Sequence, residues 1–149
     1  MADTQTPDAR EIQKIKIDPE RSPSRKLKFL TGTVYMYGPE STIPATSSFG
    51  VMERFASGET ISWPFDVDEW HYTLKGEADV TYSLRSTFHT ERKTMHVAPG
   101  DLYLVPAGAY LTWKVTSKDD LVRLCIVMHL SAPKNPRISY VAPGALEEL

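Results

Sequence analysis

The chain has 149 residues, with 17 Lys plus Arg against 19 Asp plus Glu, a formal charge of −2. That is room for one domain and one core, since a chain of this size buries roughly 70% of the surface it exposes when unfolded. The near-neutral charge argues against a nucleic-acid binder, no apolar run approaches the ~20 residues that span a membrane, and the single cysteine, Cys125, excludes an internal disulfide and a cysteine-based zinc site.

Residues 1–28 are rich in charge and proline (Pro7, Pro19, Pro23), with Ile12, Ile15 and Ile17 as an apolar thread. They read as a mobile tail, or as an arm that adds an edge strand to this chain or to a partner subunit. The opening MADTQTPDAREIQK has no apolar stretch of the secretory kind, so a cytoplasmic protein is expected, in keeping with one free thiol. Residues 29–149 form the expected domain. Strands are predicted at Val34–Tyr37, ended by Gly38-Pro39, at Phe49–Phe55 before Ser57-Gly58, and at Thr60–Trp63 before Pro64. Glu69–Lys75 follows, ended by Gly76, then Glu77–Leu84, Lys93–Val97 before Pro99-Gly100, and Asp101–Val105 before Pro106. Tyr110–Val115 and the long apolar Leu121–Leu130 complete the set, and a closing turn is expected at Ala145–Leu149. Many short strands at this spacing make an all-β sandwich or barrel.

Two segments carry more than composition. One is Glu69-x6-Gly76 with Glu77, in D-E-W-H-Y-T-L-K-G-E-A; the other is Pro99-Gly100-Asp101 followed by Pro106-Ala107-Gly108. Together they resemble the two motifs of the cupin superfamily, G-x5-H-x-H-x3,4-E-x6-G and G-x5-P-x-G-x2-H, over residues 50 to 130. The resemblance implies a single-domain double-stranded β-helix (jelly-roll) barrel, often a homodimer, with a ligand cavity at one mouth. It also implies four metal ligands, and only Glu69 stands at one of those positions. Trp63-Pro64-Phe65 replaces the H-x-H pair, and Leu111 replaces the last histidine. This departure argues against iron or manganese dioxygenase chemistry. The sequence is similar to the histidine-poor ethanolamine-utilisation EutQ-like cupins. It is similar in part to ectoine synthase, an iron-dependent cupin dehydratase whose Glu–Tyr ligand pair falls on Glu69 and Tyr103.

Strand parity then sorts the side chains. If Glu69 points inward, as the motif implies, so do His71 and Thr73, while Trp70 and Tyr72 face the other way. An apolar surround disfavours the charged carboxylate, which suits acid–base work near neutral pH, and imidazole titrates in the same range. Glu69 and His71 are therefore the candidate acid–base pair, with the Tyr103 phenol as the donor that stabilises negative charge on a substrate oxygen. Trp63, Phe65, Tyr110 and Trp113, with Tyr35, Tyr37 and His129, are the candidate binding residues, and their rings favour an aromatic or otherwise unsaturated small molecule. Glu53, Arg54 and Arg123 are strand charges that would pair with Glu69 or bind an anion if they faced inward; the default for strand charges is water. His89 and His96 are expected to be exposed.

The reading that follows is a cytoplasmic, homodimeric cupin without a cofactor, a lyase or isomerase performing an elimination, dehydration or cyclisation. Two alternatives stay open. One is a metal enzyme holding iron, manganese or zinc with Glu69, His71 and Tyr103, or with His129. The other is a non-catalytic EutQ-like binding or accessory protein.

Overall fold

The computed structural model describes residue 23 and residues 25–29, 32–37, 48–84, 92–128 and 146–147. Eleven strands run β1 (Arg25–Phe29), β2 (Gly32–Tyr37), β3 (Ser48–Phe55), β4 (Thr60–Pro64), β5 (Asp68–Lys75), β6 (Ala78–Ser83), β7 (Lys93–Val97), β8 (Leu102–Val105), β9 (Tyr110–Val115), β10 (Leu121–Met128) and β11 (Leu146–Glu147). They make two antiparallel sheets, ordered β11-β1-β2-β3-β10-β5-β8 and β4-β9-β6-β7. No helix occurs among the described residues, and none is long and apolar enough to cross a membrane. The predicted strands reappear nearly where the turn residues put them. β1 begins inside the segment read as a tail or arm and adds a strand beside β2 of the same chain, as the arm alternative has it, whereas Leu146–Glu147, expected in a closing turn, pairs with β1 instead.

The inner faces of the two sheets enclose one core, built from alternate residues of each strand. β2 contributes Val34 and Met36, β9 contributes Leu111, Trp113 and Val115, and β10 contributes Leu121, Cys125 and Val127. This is the period-2 rule of a half-buried strand. β5 obeys the same period with unusual content. Its buried residues are Glu69, His71 and Thr73, and its outward ones are Trp70, Tyr72 and Leu74.

The register of β5 is pinned at its C-terminal end. Gly76 has φ +77°, and a Cβ there would run into the Asp120 carbonyl and lie 2.8 Å from Leu121 Cα. Only glycine lets the β5–β6 turn sit this close to the start of β10. The ladder between β5 and β10 also shifts between Val122 and Arg123, which sets Arg123 opposite Thr73. Gly58 has a similar φ of +79° but nothing within 4 Å of an added Cβ. Gly58→Ala should therefore cost only the left-handed backbone penalty, roughly 1–2 kcal/mol, whereas Gly76→Ala adds a backbone clash and should cost several times more. Urea unfolding of the two variants checks the difference.

Candidate functional site

On the inner face of the larger sheet, cross-strand pairing stacks the functional side chains in adjacent rows. Arg123 of β10 lies between Glu53 of β3 and Thr73 of β5. One step along, Cys125 lies beside His71, which pairs with Tyr103 of β8. One step further, Val127 pairs with Glu69, which pairs with Val105. Regular antiparallel ladders thus converge residues far apart in the chain, with no loop needed to position them.

The side chains form one chain of contacts. Arg123 Nε and Nη2 both donate to Glu53 Oε2, at 2.9 and 2.7 Å. Arg123 Nη1 lies 3.2 Å from His71 Nδ1, and His71 Nε2 lies 3.0 Å from Glu69 Oε2. Arginine only donates, so Nδ1 must accept and the ring proton sits on Nε2, donated to Glu69. Glu53, Glu69, His71 and Arg123 are each 1% exposed or less. Burial and the adjacent guanidinium hold the His71 pKa well below its ordinary value, so the imidazole is neutral. Cys125 Sγ donates to Glu53 Oε2 at 3.3 Å, and burial pushes its thiol well up. Glu53 Oε1 and Thr73 Oγ1 are buried without a hydrogen-bond partner.

Rings fill the space around this network. The Arg123 guanidinium stands 4.2 Å from the Trp113 ring centre and 4.6 Å from that of Phe55. Trp63, Phe65 and Trp113 pack on one another at 5.5 to 6.0 Å, and Phe65 and Trp113 reach His71 at 5.7 and 5.8 Å. Trp63, Phe65 and Trp113, expected as binding residues, therefore form the packed wall against the network. Tyr103 sits at its edge: its ring meets His71 edge-on at 5.1 Å, and its hydroxyl accepts from Trp113 Nε1 at 3.1 Å, with Arg123 in hydrogen-bonding reach. Burial raises the phenol pKa, although Arg123 opposes the shift. Tyr103 also lines a groove of about 320 Å³ at the open side of the sandwich, with Tyr82, Met95, Val105, Pro106 and Leu111.

Other expected site residues lie elsewhere. Tyr35 and Tyr37 do not line the interior, because the parity of β2 turns Val34 and Met36 inward. Tyr37 packs with Met52 and Val122 on the outer face, and Arg54 stacks on Tyr35 at 4.2 Å while donating to the Tyr37 hydroxyl and Asp120. Tyr110 faces outward from the smaller sheet, beside Thr81, Ser83 and Thr112, because Leu111 and Trp113 take the inner positions. His129 and His89 lie outside the described residues. His96 is exposed, as expected, and is paired with Asp79. Arg123 and Glu53 are the residues that the default placement of strand charges missed.

No protein-family model matches the sequence, and no curated protein does. Solved structures do. A Bacillus halodurans protein, BH2720, is 14% identical over 76% of this chain and 76% of its own, with a TM-score of 0.51. Procruciferin, an 11S globulin from Brassica napus, is 19% identical over 78% of this chain and 32% of its own, with a TM-score of 0.58. Bacillus subtilis oxalate decarboxylase, which has Mn(II) centres, is 18% identical over 71% of this chain and 28% of its own, with a TM-score of 0.55. The chain has the cupin fold. It spans about a third of the length of the decarboxylase and the globulin.

Of the four ligand positions that the cupin motifs imply, only Glu69 carries a donor here. Trp63 and Leu111 are paired neighbours on β4 and β9 and, with Phe65, are buried and apolar where cupin ligands are expected. A different trio, Glu69, His71 and Cys125, brings ligand-type atoms within 4.8 Å of one another. The donor set is nevertheless wrong for a cation. His71 offers no vacant lone pair, because Nδ1 accepts from Arg123 and Nε2 carries the proton.

Two outcomes follow from the network. Arg123→Met strands the Glu53 carboxylate and should cost about 3–5 kcal/mol, whereas the double variant with Glu53→Met should recover most of that loss; urea unfolding reads both. The second concerns pH. The unfolded imidazole titrates near 6.5, while the buried one refuses the proton until the pH is well below that. Below pH 6.5 the unfolded chain binds a proton that the folded chain does not, so stability is full above 6.5 and falls as the pH drops, by up to about 1.4 kcal/mol per unit. Thermal melts between pH 7.5 and pH 5.5 should show this slope, flattened in His71→Gln (the pH limits bracket the ordinary imidazole range, about 6.5).

Proposed function

We propose that this cupin is a small-molecule enzyme of the lyase or isomerase class, working by proton transfer at the groove beside Tyr103. The observation that carries the reading is the continuity of the apolar groove with the buried network: Tyr103 belongs to both, and Val105, another groove residue, pairs with Glu69. A structural role alone would be served at less cost by apolar side chains, since burying such charges is expensive.

In this reading the substrate has an apolar, unsaturated body held by Tyr82, Met95 and Leu111, and an oxygen that receives the Tyr103 proton. The phenol oxygen accepts from Trp113, and the nearby guanidinium stabilises negative charge developing on the phenol or the substrate oxygen. Glu69 exchanges a proton with an adjacent carbon or leaving group, and His71 is a positioning residue that orients its carboxylate. This revises the pairing expected from sequence, in which the imidazole itself was the base. The Nδ1 lone pair is engaged by Arg123, and burial keeps the ring neutral.

A second reading, a non-catalytic binding protein, is favoured by the dense ring packing of Trp63, Phe65 and Trp113. Incubation in deuterated solvent separates the two. A panel of small unsaturated carbonyl and hydroxy compounds is followed by NMR for carbon-bound deuterium or elimination. Wild type should exchange or convert at least one compound, with Tyr103→Phe and Glu69→Gln each reducing the rate by about a hundredfold or more. Compounds that bind without exchange would favour the binding reading, and full turnover in both variants would overturn the roles given to Tyr103 and Glu69.

A further inference from the structure

We propose that residues 12–17 of this chain cover the outer face of β10, β5 and β8, which they reach from Pro23. Seven large hydrophobic residues are exposed among the described residues, and six of them lie on this face: Trp70, Tyr72, Leu74, Leu102, Leu104 and Ile126. Register makes the face continuous. Leu102 pairs with Tyr72, Tyr72 with Leu124, Leu124 with Met52 and Met52 with Tyr37, so one row runs from the sheet edge at β8 back to β2. The row changes character along its length. Tyr37 and Met52, with Val122 beside them, are buried although they face away from the smaller sheet, whereas Tyr72 and Leu102 are open to water.

The place where the described chain begins decides the occupant. In sheet order β1 is three strands from β10. Pro23, two residues before β1, is nevertheless half-buried and lines a groove with Tyr37, Met52, Val122 and Leu74. Followed back from β1, the chain has therefore turned onto the outer face, at the covered end of the row. Residues 1–22 lie outside the described residues, and their sequence supplies what the open end lacks. Ile15 and Ile17 alternate with Lys14 and Lys16, and Ile12 precedes them. In an extended segment Ile15 and Ile17 project to one side, at the spacing of Trp70 and Tyr72 on β5, and the lysines project to water. Ile17 is six residues from Pro23, a reach of up to ~20 Å, against roughly 13 Å from Leu74 to Trp70 along β5.

The open area also suits a segment better than a second globular copy. By side-chain size and exposure the six residues leave on the order of 500 Å² of apolar surface in water. That falls short of the about 800 Å² that each partner of a standard interface buries. Residues 129–145 are tied at both ends between β10 and β11, on the other side of β10 from β5 and β8. The contact is made by side chains on a face, and is distinct from the edge-strand pairing that the sequence suggests for the arm. The inference does not rest on the reading of function.

The test is acrylamide quenching of tryptophan fluorescence in the full chain. Trp63 and Trp113 are buried, so the quenchable signal comes from Trp70, and Trp70→Phe identifies it. Trp70 should be shielded in wild type at every protein concentration. Loss of one isoleucine contact weakens docking by about tenfold, so the triple variant Ile12→Ser, Ile15→Ser, Ile17→Ser should raise Trp70 quenching to that of a free indole. Ile17→Cys with Tyr72→Cys should close a disulfide within one chain about tenfold faster than Ile17→Cys with Thr94→Cys, which lies on the smaller sheet. Cys125 is buried and does not compete. Leu102→Cys replaces Tyr72→Cys if that variant loses its circular dichroism spectrum. A wild-type Trp70 as quenchable as free indole overturns the proposal. So does shielding that disappears on dilution, which belongs to a second copy, shielding that survives the triple variant, or a disulfide that forms only between chains.

Discussion

Arg123 is the interaction on which the interior depends. One guanidinium gives two hydrogen bonds to Glu53, fixes the tautomer of His71, reaches Tyr103 and lies against Trp113 and Phe55. Removing a charge from water costs several kcal/mol even after relaxation, so a fully buried arginine is tolerated only where opposite charge and ring faces surround it. Glu53 supplies the charge from the next strand, and the rings supply the rest. The partners are set by ladder register, so the network and the sheet stand or fall together.

That arrangement changes what a cupin interior can do. Where the superfamily pattern would put histidines, Trp63, Phe65 and Leu111 close the space around the network. The imidazole present, His71, comes from the strand of Glu69 and is turned toward it, with its other nitrogen held by Arg123. Both ring nitrogens are committed to hydrogen bonds, so this ring has no free lone pair in the arrangement observed. Tyr103 is the element that is both part of this interior and open to a groove, so the surface through which the interior can act is narrow and apolar.

Much of this architecture is legible in the sequence because it rests on local signals. Glycine and proline end the strands, and the two motif segments identify which strand carries the inward carboxylate. From Glu69, parity gives His71 and Thr73 without further information. Arg123 and Glu53 are not legible in the same way. Each sits in a strand whose two faces are both largely apolar, Val122-Arg123-Leu124-Cys125 and Val51-Met52-Glu53, so alternation does not say which way the charge points. It is decided by pairing between segments seventy residues apart. Tyr35, Tyr37 and Tyr110 show the converse. Aromatic residues suit either face of a strand, and only their neighbours Val34, Met36 and Leu111, which take the inner positions, settle the direction.

β5 joins the interior to the exterior. Strand side chains alternate without exception in a regular ladder, and a slip of one residue would exchange the two faces. On hydrophobicity alone, β5 would bury Trp70, Tyr72 and Leu74 and leave Glu69, His71 and Thr73 in water. The observed register is the opposite, held by the close approach at Gly76 and by the polar contacts of Glu69 and His71. Choosing it places three large apolar side chains on the outer surface, beside Leu102, Leu104 and Ile126. The cost of that choice falls when the outer face is covered, because burial then recovers the hydrophobic free energy forgone inside. An inward polar network and an outward apolar face on one strand are thus a single constraint: the register that builds the first also creates the second.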